Sequence, residues 1–358
     1  MCTPSSEGKL KQRSVNSKNI EMVPVLDENK KPLMPCSEKR ARKLLERGDA
    51  KPYWFKGEFC VILQRKPKST YRQEVCIGID PGSKMSALTI KSETHTLLNV
   101  QYSAPTFVKN KIKTRAEARR SRRQRKTPYR KCRFNRNVGK RIPPSTKSRW
   151  LQHLNLIRHF SKIYPINLVA FEDIRAKTIK GARKWNKNFS PLEVGKNWFY
   201  NEVEKEYRLY LFEGFDTYTY RNSLGLKKGK DKLKIAFESH CVDSWVLANQ
   251  VVGGHIEPEN TRLIYLKPLN FYRRQLHKHC PAEGGIRRPY GGTLSLGIKK
   301  GTLVKHRKYG LVLVGGTSNN RLSLHCKETN KRLCQNAKIE DIKILTNLKW
   351  NTSNSSQG

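Results

Sequence analysis

Four residues have types and spacings that could do chemistry: Asp80, Glu172, His240 and Asp243. Asp80 follows the run Val75-Cys76-Ile77-Gly78-Ile79, which has the composition of a strand buried on both faces. Pro81 and Gly82 then turn the chain, and Ala87 to Ile90 is an apolar run suited to an antiparallel neighbour. A carboxylate in that place, flanked by small residues, suits a divalent cation and a phosphate that must approach the backbone closely. Asp-Pro-Gly is equally ordinary turn chemistry. A second run, Asn167 to Phe171, ends on Glu172 and Asp173, and two buried strands that both end on acids point to a shared site. Adjacent strand residues face opposite sides, so only one of Glu172 and Asp173 can face it. In SHCVDSWVLANQVV, the apolar residues Val242, Val246, Ala248 and Val251 predict a buried helix. His240 and Asp243, three apart, then project from one face near its first turn. An imidazole and a carboxylate so placed can flank a metal and its water. A lone pair of this kind also decorates solvent-facing helices.

These residues must be held by a core that occupies only part of the chain, because 36% of the 358 residues are hydrophobic. Residues 1–20 are polar and aperiodic, as expected of a disordered tail. From Glu21 the sequence predicts a compact unit in which MVPVLD is a strand and PLMP a rigid link. A helix EKRARKLLER follows, N-capped by Ser37 and stopped by Gly48, with a strand over Tyr53 to Leu63. Further on, Leu151, Leu154, Ile157 and Ile163 mark an amphipathic helix ended by Pro165. Residues 175–190 read as irregular, Val194 to Phe212 as a helix, Asp216 to Arg221 as a short strand, and GLKKGKDK as a loop. After Pro258, short runs separated by Gly, Asn and Lys predict a small barrel or twisted sheet, followed by a polar tail over 351–358.

The charge names the class of partner. Lys and Arg number 73 against 29 Asp and Glu, a net +44, and an excess of that size calls for a polyanion. It concentrates in Lys111 to Arg136, where 13 of 26 residues are basic and Glu117 is the only acid. Helix formers predominate there, so Thr114 to Lys126 is predicted helical, with Pro128 ending or kinking the helix. Such a helix has no apolar face, and its like charges repel unless anions surround it. Arg115, Arg119, Arg120, Arg122, Arg123 and Arg125 are the expected nucleic-acid contacts, joined by Arg40, Arg42 and Lys43 of the first helix. Nine cysteines are scattered without a CxxC pair, and His277, His279 and Cys280 lack the second ligand pair that a zinc site needs. The sequence has no signal peptide at its start and no run of 18 uncharged apolar residues, so a cytoplasmic location and no membrane are expected.

Asp80, Glu172, His240 and Asp243, in that order, resemble the three segments of a RuvC-like nuclease of the RNase H fold. VLDENKKPLMPCSEKRARKLLERGDA resembles the N-terminal PLMP domain of the IscB family, and the Arg-rich stretch resembles the family's bridge helix. NFYRRQLHK and GGIRRPYGGTLSLGIKKGTLVKH look like the start of its C-terminal domain. The resemblance runs collinearly over about residues 21–348, beyond what a chance motif would do. IscB proteins carry an HNH nuclease between the second and third segments. Here Glu172 and His240 are 68 positions apart (240 − 172) with no histidine between them, so the chain looks like IsrB, the HNH-lacking branch.

The resemblance implies an α/β, RNase H-like (RuvC) core split by the bridge helix, with a small PLMP domain and a C-terminal β-rich domain. It implies a tail over 1–20, a PLMP domain over 21–68, RuvC segment I over 74–108, and the bridge helix and linker over 109–147. RuvC segments II and III would be 148–235 and 236–260, the β-rich domain 261–350, and a tail 351–358. The implied activity is that of a monomeric, RNA-guided DNA endonuclease. An omega guide RNA would pair with one strand of double-stranded DNA, and the RuvC site would nick the other. The C-terminal domain would read a target-adjacent motif through the region of Lys299, Lys300, Lys305 and Arg307. Two Mg²⁺ ions, replaceable by Mn²⁺, would be held by Asp80 as bridging ligand, Glu172 and Asp243, with His240 orienting or deprotonating water. A guide-free structure-specific nuclease would share these residues without needing the basic helix. A non-catalytic RNA-binding protein would explain the charge but not the three carboxylates.

Overall fold

The computed structural model describes residues 21–66, 69, 71–124, 142–174, 191–280, 282 and 284–354. The expected tail over 1–20, the Pro128 end of the basic helix and the stretch 175–190 lie outside the described residues. The N-terminal unit comprises β1 (Met22–Leu26), β2 (Pro32–Ser37), α1 (Glu38–Glu46), β3 (Ala50–Phe55) and β4 (Glu58–Leu63). Its sheet has the order β2-β1-β4-β3, and Ala41, Leu44 and Leu45 of α1 pack on it. Two expectations are corrected here. PLMP is strand rather than link, and the single strand over Tyr53 to Leu63 is the hairpin β3–β4. Its turn residues Lys56 and Gly57 take φ of 49° and 98°, the left-handed pair that matches the twist of a two-residue hairpin.

Seven strands form the central sheet: β5 (Val75–Asp80), β6 (Met85–Ser92), β7 (Thr96–Ser103), β8 (Leu168–Glu172), β9 (Arg208–Phe212), β10 (Leu263–Pro268) and β20 (Trp350–Asn354). Their order is β20-β10-β7-β6-β5-β8-β9. β5, β6 and β7 form an antiparallel meander, while β8 and β9 extend it in parallel on the other side of β5. Every residue of β5 and β6 is buried. One face is covered by α3 (Pro144–Phe160) and α4 (Pro191–Glu204), whose Trp150, Leu154, Phe160, Phe199 and Val203 meet Ile77, Ile79, Val169 and Phe171. The other is covered by α6 (Val242–Val252), whose Leu247 and Ala248 meet Cys76, Leu168 and Ala170. A sheet sandwiched in this way explains why its inner strands read as continuous apolar runs.

α2 (Phe107–Gln124) starts seven residues before the expected Thr114, because Phe107, Val108 and Ile112 give its first turns something to pack. The expected helix over Val194 to Phe212 ends instead at Glu204, and Arg208–Phe212 becomes edge strand β9. The expected strand over Asp216 to Arg221 is a helix, α5 (Gly214–Ser223), because Glu213 and Asp216 form a reciprocal capping box. The remaining strands are β11 (Gln275–Cys280), β12 (Ile286–Gly291), β13 (Leu294–Ser295), β14 (Ile298–Lys299), β15 (Thr302–His306), β16 (Gly310–Ser318), β17 (Arg321–Cys326), β18 (Arg332–Ala337) and β19 (Ile342–Asn347). Five of them form the sheet β18-β17-β16-β15-β19, with its own core around Val304, Val312, Val314 and Leu324. The expected run IEDIKILTN supplies β19 of this sheet, but the first expected run, TRLIYLKPL, supplies β10 of the central sheet. β10 pairs with β7, and β20, in the stretch read as a polar tail, pairs with β10. No helix among the described residues is long and apolar enough to cross a membrane.

Candidate active site

Register brings Asp80 and Glu172 together. β5 and β8 are parallel with Ile79 opposite Phe171, so Asp80 and Glu172, one residue further, leave the same end of neighbouring strands about 4.8 Å apart. Side chains alternate along a strand. Ile79 and Phe171 face α3 and α4, so Asp80 and Glu172 share the face of Cys76 and Ala170, which is covered by α6. Asp173 turns the other way, where it accepts from Lys196 Nζ at 2.7 Å and from the Tyr200 hydroxyl at 2.9 Å. Glu172, not Asp173, is the residue beside Asp80.

Gly78 sets how closely α6 lies on the sheet. A Cβ there would stand 2.1 Å from the Ser244 carbonyl oxygen and 2.7 Å from the Ala248 nitrogen, both backbone atoms of α6. The Thr89 and Ser244 hydroxyls, 2.8 Å apart, and a Trp245 Nε1 bond to Thr96 Oγ1 at 2.9 Å fix the helix further. α6 delivers Asp243 from its first turn, and a π-helical turn leading into it, Phe237–Cys241, carries His240. A single-turn π segment of this kind displaces a side chain from the ordinary helical ladder.

His240 Nδ1 lies 2.9 Å from Asp80 Oδ2, and Nε2 lies 3.0 Å from the Lys232 carbonyl oxygen. Both partners are acceptors, so both ring nitrogens donate. Burial disfavours the imidazolium, but the Asp80 bond and charge and the Lys232 carbonyl outweigh it, and the pKa is raised. The sequence suggested a histidine that orients or deprotonates water; here the ring is engaged on both sides and holds Asp80. Burial pushes the Asp80 carboxyl up, yet the bond to His240 and the Lys228 charge pull it below its ordinary value. Glu172 goes the other way: burial first, then the charge and hydrogen bond of Asp80 and the charge of Asp243, push it up to about 8. Two carboxyl groups that face each other cannot both ionise cheaply, so Glu172 keeps the proton and Asp80 accepts it.

Asp243 has two cationic partners that the sequence did not single out. Arg221 Nη1 of α5 donates to its Oδ1 at 2.5 Å, and Lys228 Nζ, from the loop after α5, donates to its Oδ2. Burial works against the Lys228 charge, but Asp80, Asp243 and Glu172 together raise its pKa. The only sequence signal for this was the lysine-rich loop GLKKGKDK lying shortly before His240.

Among the described residues no three His, Cys, Asp or Glu side chains already converge as ligands of an ion. Asp243 is instead turned to Arg221 and Lys228. The donor chemistry nonetheless fits a hard divalent cation. Asp80 and Glu172 are oxygen donors in hydrogen-bond contact, and their mutual repulsion, which keeps Glu172 protonated, is what such an ion would relieve.

The expected nucleic-acid contacts divide three ways. Arg115, Arg119, Arg120 and Arg123 are exposed on α2, and Arg40, Arg42 and Lys43 on α1. Arg122 belongs to α2, and Arg125 lies outside the described residues. Lys299, Lys305 and Arg307 are exposed, but Lys300 is corrected: it is 6% exposed, and its Nζ donates to the Tyr272 carbonyl at 3.1 Å, which makes it a tie within the fold.

Residues 23–184, a little under half of the chain, match the family model described as RRXRR protein, a domain found in IscB-type nucleases. The match spans β5, α2 and β8, and α2 carries the sequence Arg119-Arg120-Ser121-Arg122-Arg123. No curated protein matches the chain.

Proposed function

We propose that the chain is an IsrB-like, RNA-guided DNA endonuclease of the prokaryotic cytosol. Its RNase H-like (RuvC) core nicks the DNA strand that is not paired with the guide. The observation that carries this reading is the pairing of Asp80 and Glu172 at the end of two parallel strands, with His240 bonded to Asp80 and Asp243, at the start of α6, near enough for its charge to raise Glu172. The order β7-β6-β5-β8-β9, in which only β6 runs against the rest, supports the RNase H-like assignment. The RRXRR match and the unpacked cationic side of α2 support RNA as the guide.

In this reading Asp80, Glu172 and Asp243 would hold two Mg²⁺ ions, with Mn²⁺ able to substitute. Such ions supply an activated water and a counter-charge for the leaving oxygen. The chain's own groups fix the donors. His240 orients Asp80, α6 sets the height of Asp243 through Gly78, and Lys196 and Tyr200 hold Asp173 so that Glu172 faces inward. Lys228 and Arg221 neutralise Asp243. Exposed Lys299, Lys305 and Arg307 would contact the duplex carrying the target-adjacent motif.

RNA extracted from the protein purified at low salt tests the guide directly. The expected result is one structured RNA species per protein, whose variable end directs where a matched plasmid is nicked. Nucleic-acid-free protein that cuts unguided DNA just as well would replace this reading with a guide-free nuclease.

A further inference from the structure

α5 starts against one carboxylate of the site and ends against another. A Cβ on Gly214, its first residue, would stand 2.8 Å from Glu172 Oε1, and Arg221 near its end bonds Asp243 at 2.5 Å. Its inner side is secured: Thr217 is buried, Tyr220 packs on the cluster of Phe237 and Trp245, and the Tyr220 hydroxyl accepts from Asn249 Nδ2 at 3.2 Å. Its outer side carries two rings that pack against little of the protein. Phe215 is 73% exposed and Tyr218 52%, and at i and i+3 they are neighbours on the helix surface. The acids beside them, Glu213 and Asp216, are turned into the capping box. Exposed Lys227, Lys230 and Lys232 line the loop that follows. Paired rings in the open, flanked by lysines and fixed to a carboxylate cluster on a chain of net charge +44, match a polyanion that carries flat aromatic groups of its own.

We propose that Phe215 and Tyr218 form a base-stacking platform for an unpaired nucleic-acid strand whose backbone crosses the carboxylate site. The proposal rests on the reading of that site as a DNA-cutting centre. Paired bases keep their faces covered within the duplex, so a platform of this kind engages a strand only where it has been opened. Arg221 joins the platform to the site, with its guanidinium carbon 5.4 Å from the Tyr218 ring centroid and its Nη1 on Asp243. A strand stacked on the rings is thereby held at a fixed distance from the carboxylates.

The test uses the purified ribonucleoprotein and a guide-matched duplex with 2-aminopurine in the strand not paired with the guide. Stacking on the wild-type protein, and on Asp80→Ala, should quench the probe. Phe215→Ala/Tyr218→Ala should leave it bright, and KM for nicking should rise roughly 5- to 150-fold per ring lost, the factor that stacking of about 1–3 kcal/mol per base implies. Phe215→Trp and Tyr218→Phe should restore both readouts, and bound RNA and melting temperature should not change, because both rings are exposed. Equal quenching and nicking in the double alanine variant would overturn the proposal. So would loss of bound RNA together with strand engagement, which would assign the rings to the guide. A wild-type protein that quenches the probe but never cuts would instead break the reading of the site and leave the platform standing.

Discussion

The carboxylate site and the arginine helix are built on opposite physical terms. The site lies at the end of strands buried on both faces, and each of its acids is fixed by a partner from a distant part of the chain: His240 for Asp80, Arg221 and Lys228 for Asp243, Asp80 for Glu172. α2 has almost nothing of this kind. Past Lys113 only Ala116 falls short of the exposed class among its described side chains, and a 3.9 Å Lys113–Glu117 pair is a surface contact of small worth. One region is organised by packing and spends its charge internally; the other keeps its charge available for a partner. Under the proposed function the difference is what each region needs: a site for metal ions and a strand would need groups already in place, whereas an element along a phosphate backbone would need only charge and reach.

The sharpest way to break that contrast is to unpack the site. Gly78→Ala places a methyl group within 2.1 Å of the α6 backbone, where no flexible side chain can yield. The expected cost is at or beyond the upper end of the ~1–3 kcal/mol typical of overpacked cores. It should appear in chemical denaturation as a large fall in midpoint together with loss of cleavage. A variant of wild-type stability and activity would show that α6 does not set the position of Asp243.

Replacing Arg115, Arg119 and Arg120 with Gln should do the reverse. Unfolding should change by no more than about 0.5 kcal/mol, as for ordinary surface substitutions. The slope of log affinity for RNA against log salt should become shallower by about 2, since each lost phosphate contact removes roughly 0.7–0.9. Salt-dependent binding measurements would show it; an unfolded triple variant would mean that α2 packs after all.

A further effect is electrostatic, depends on pH and belongs to the metal-free protein. Glu172 has a folded pKa pushed up to about 8, above its ordinary value of about 4.3. The stability of the native state is therefore undiminished by Glu172 below about pH 4.3 and falls as the pH rises toward 8, where folding must either hold the proton or ionise a crowded carboxyl. Glu172→Gln removes that dependence, so its advantage over wild type should grow from near zero at pH 4.5 to at most a few kcal/mol at pH 8. Mg²⁺ should then reverse the order, stabilising wild type more than the variant. Parallel pH–stability curves in the absence of metal would contradict the shared-proton arrangement.

What could be read from the sequence follows the same division. β5, β8 and α6 declared themselves because buried elements have nearly pure apolar runs, and the acids at their ends followed from where those runs stop. The basic helix declared itself by composition, apart from the first turns that Phe107 and Ile112 add. Elements whose identity depends on distant partners did not. Thr96–Ser103 mixes polar and apolar residues because Asn99 and Gln101 are bonded to the distant carbonyls of Asn260, Arg262 and Lys234. Trp350–Asn354 is a strand only because β10 offers it an edge. In α5 the β-favouring run Thr217-Tyr218-Thr219-Tyr220 hides the helix, whose one local signal is the capping pair Glu213 and Asp216. Arg221, placed in the wrong element, and Lys228, placed in a loop, could not have been assigned to Asp243 before the fold was known.

The most direct measurement of what the carboxylates do is cleavage of a supercoiled, guide-matched plasmid by the ribonucleoprotein in Mg²⁺, with Asp80→Ala alongside. The expected product is an open circle cut in the strand not paired with the guide, with no cut from Asp80→Ala, although that variant still binds RNA and target. A linear product that vanishes with Asp80→Ala would mean that this one site cuts both strands. An open circle that persists in Asp80→Ala would mean that the carboxylates gathered here do not perform the cleavage.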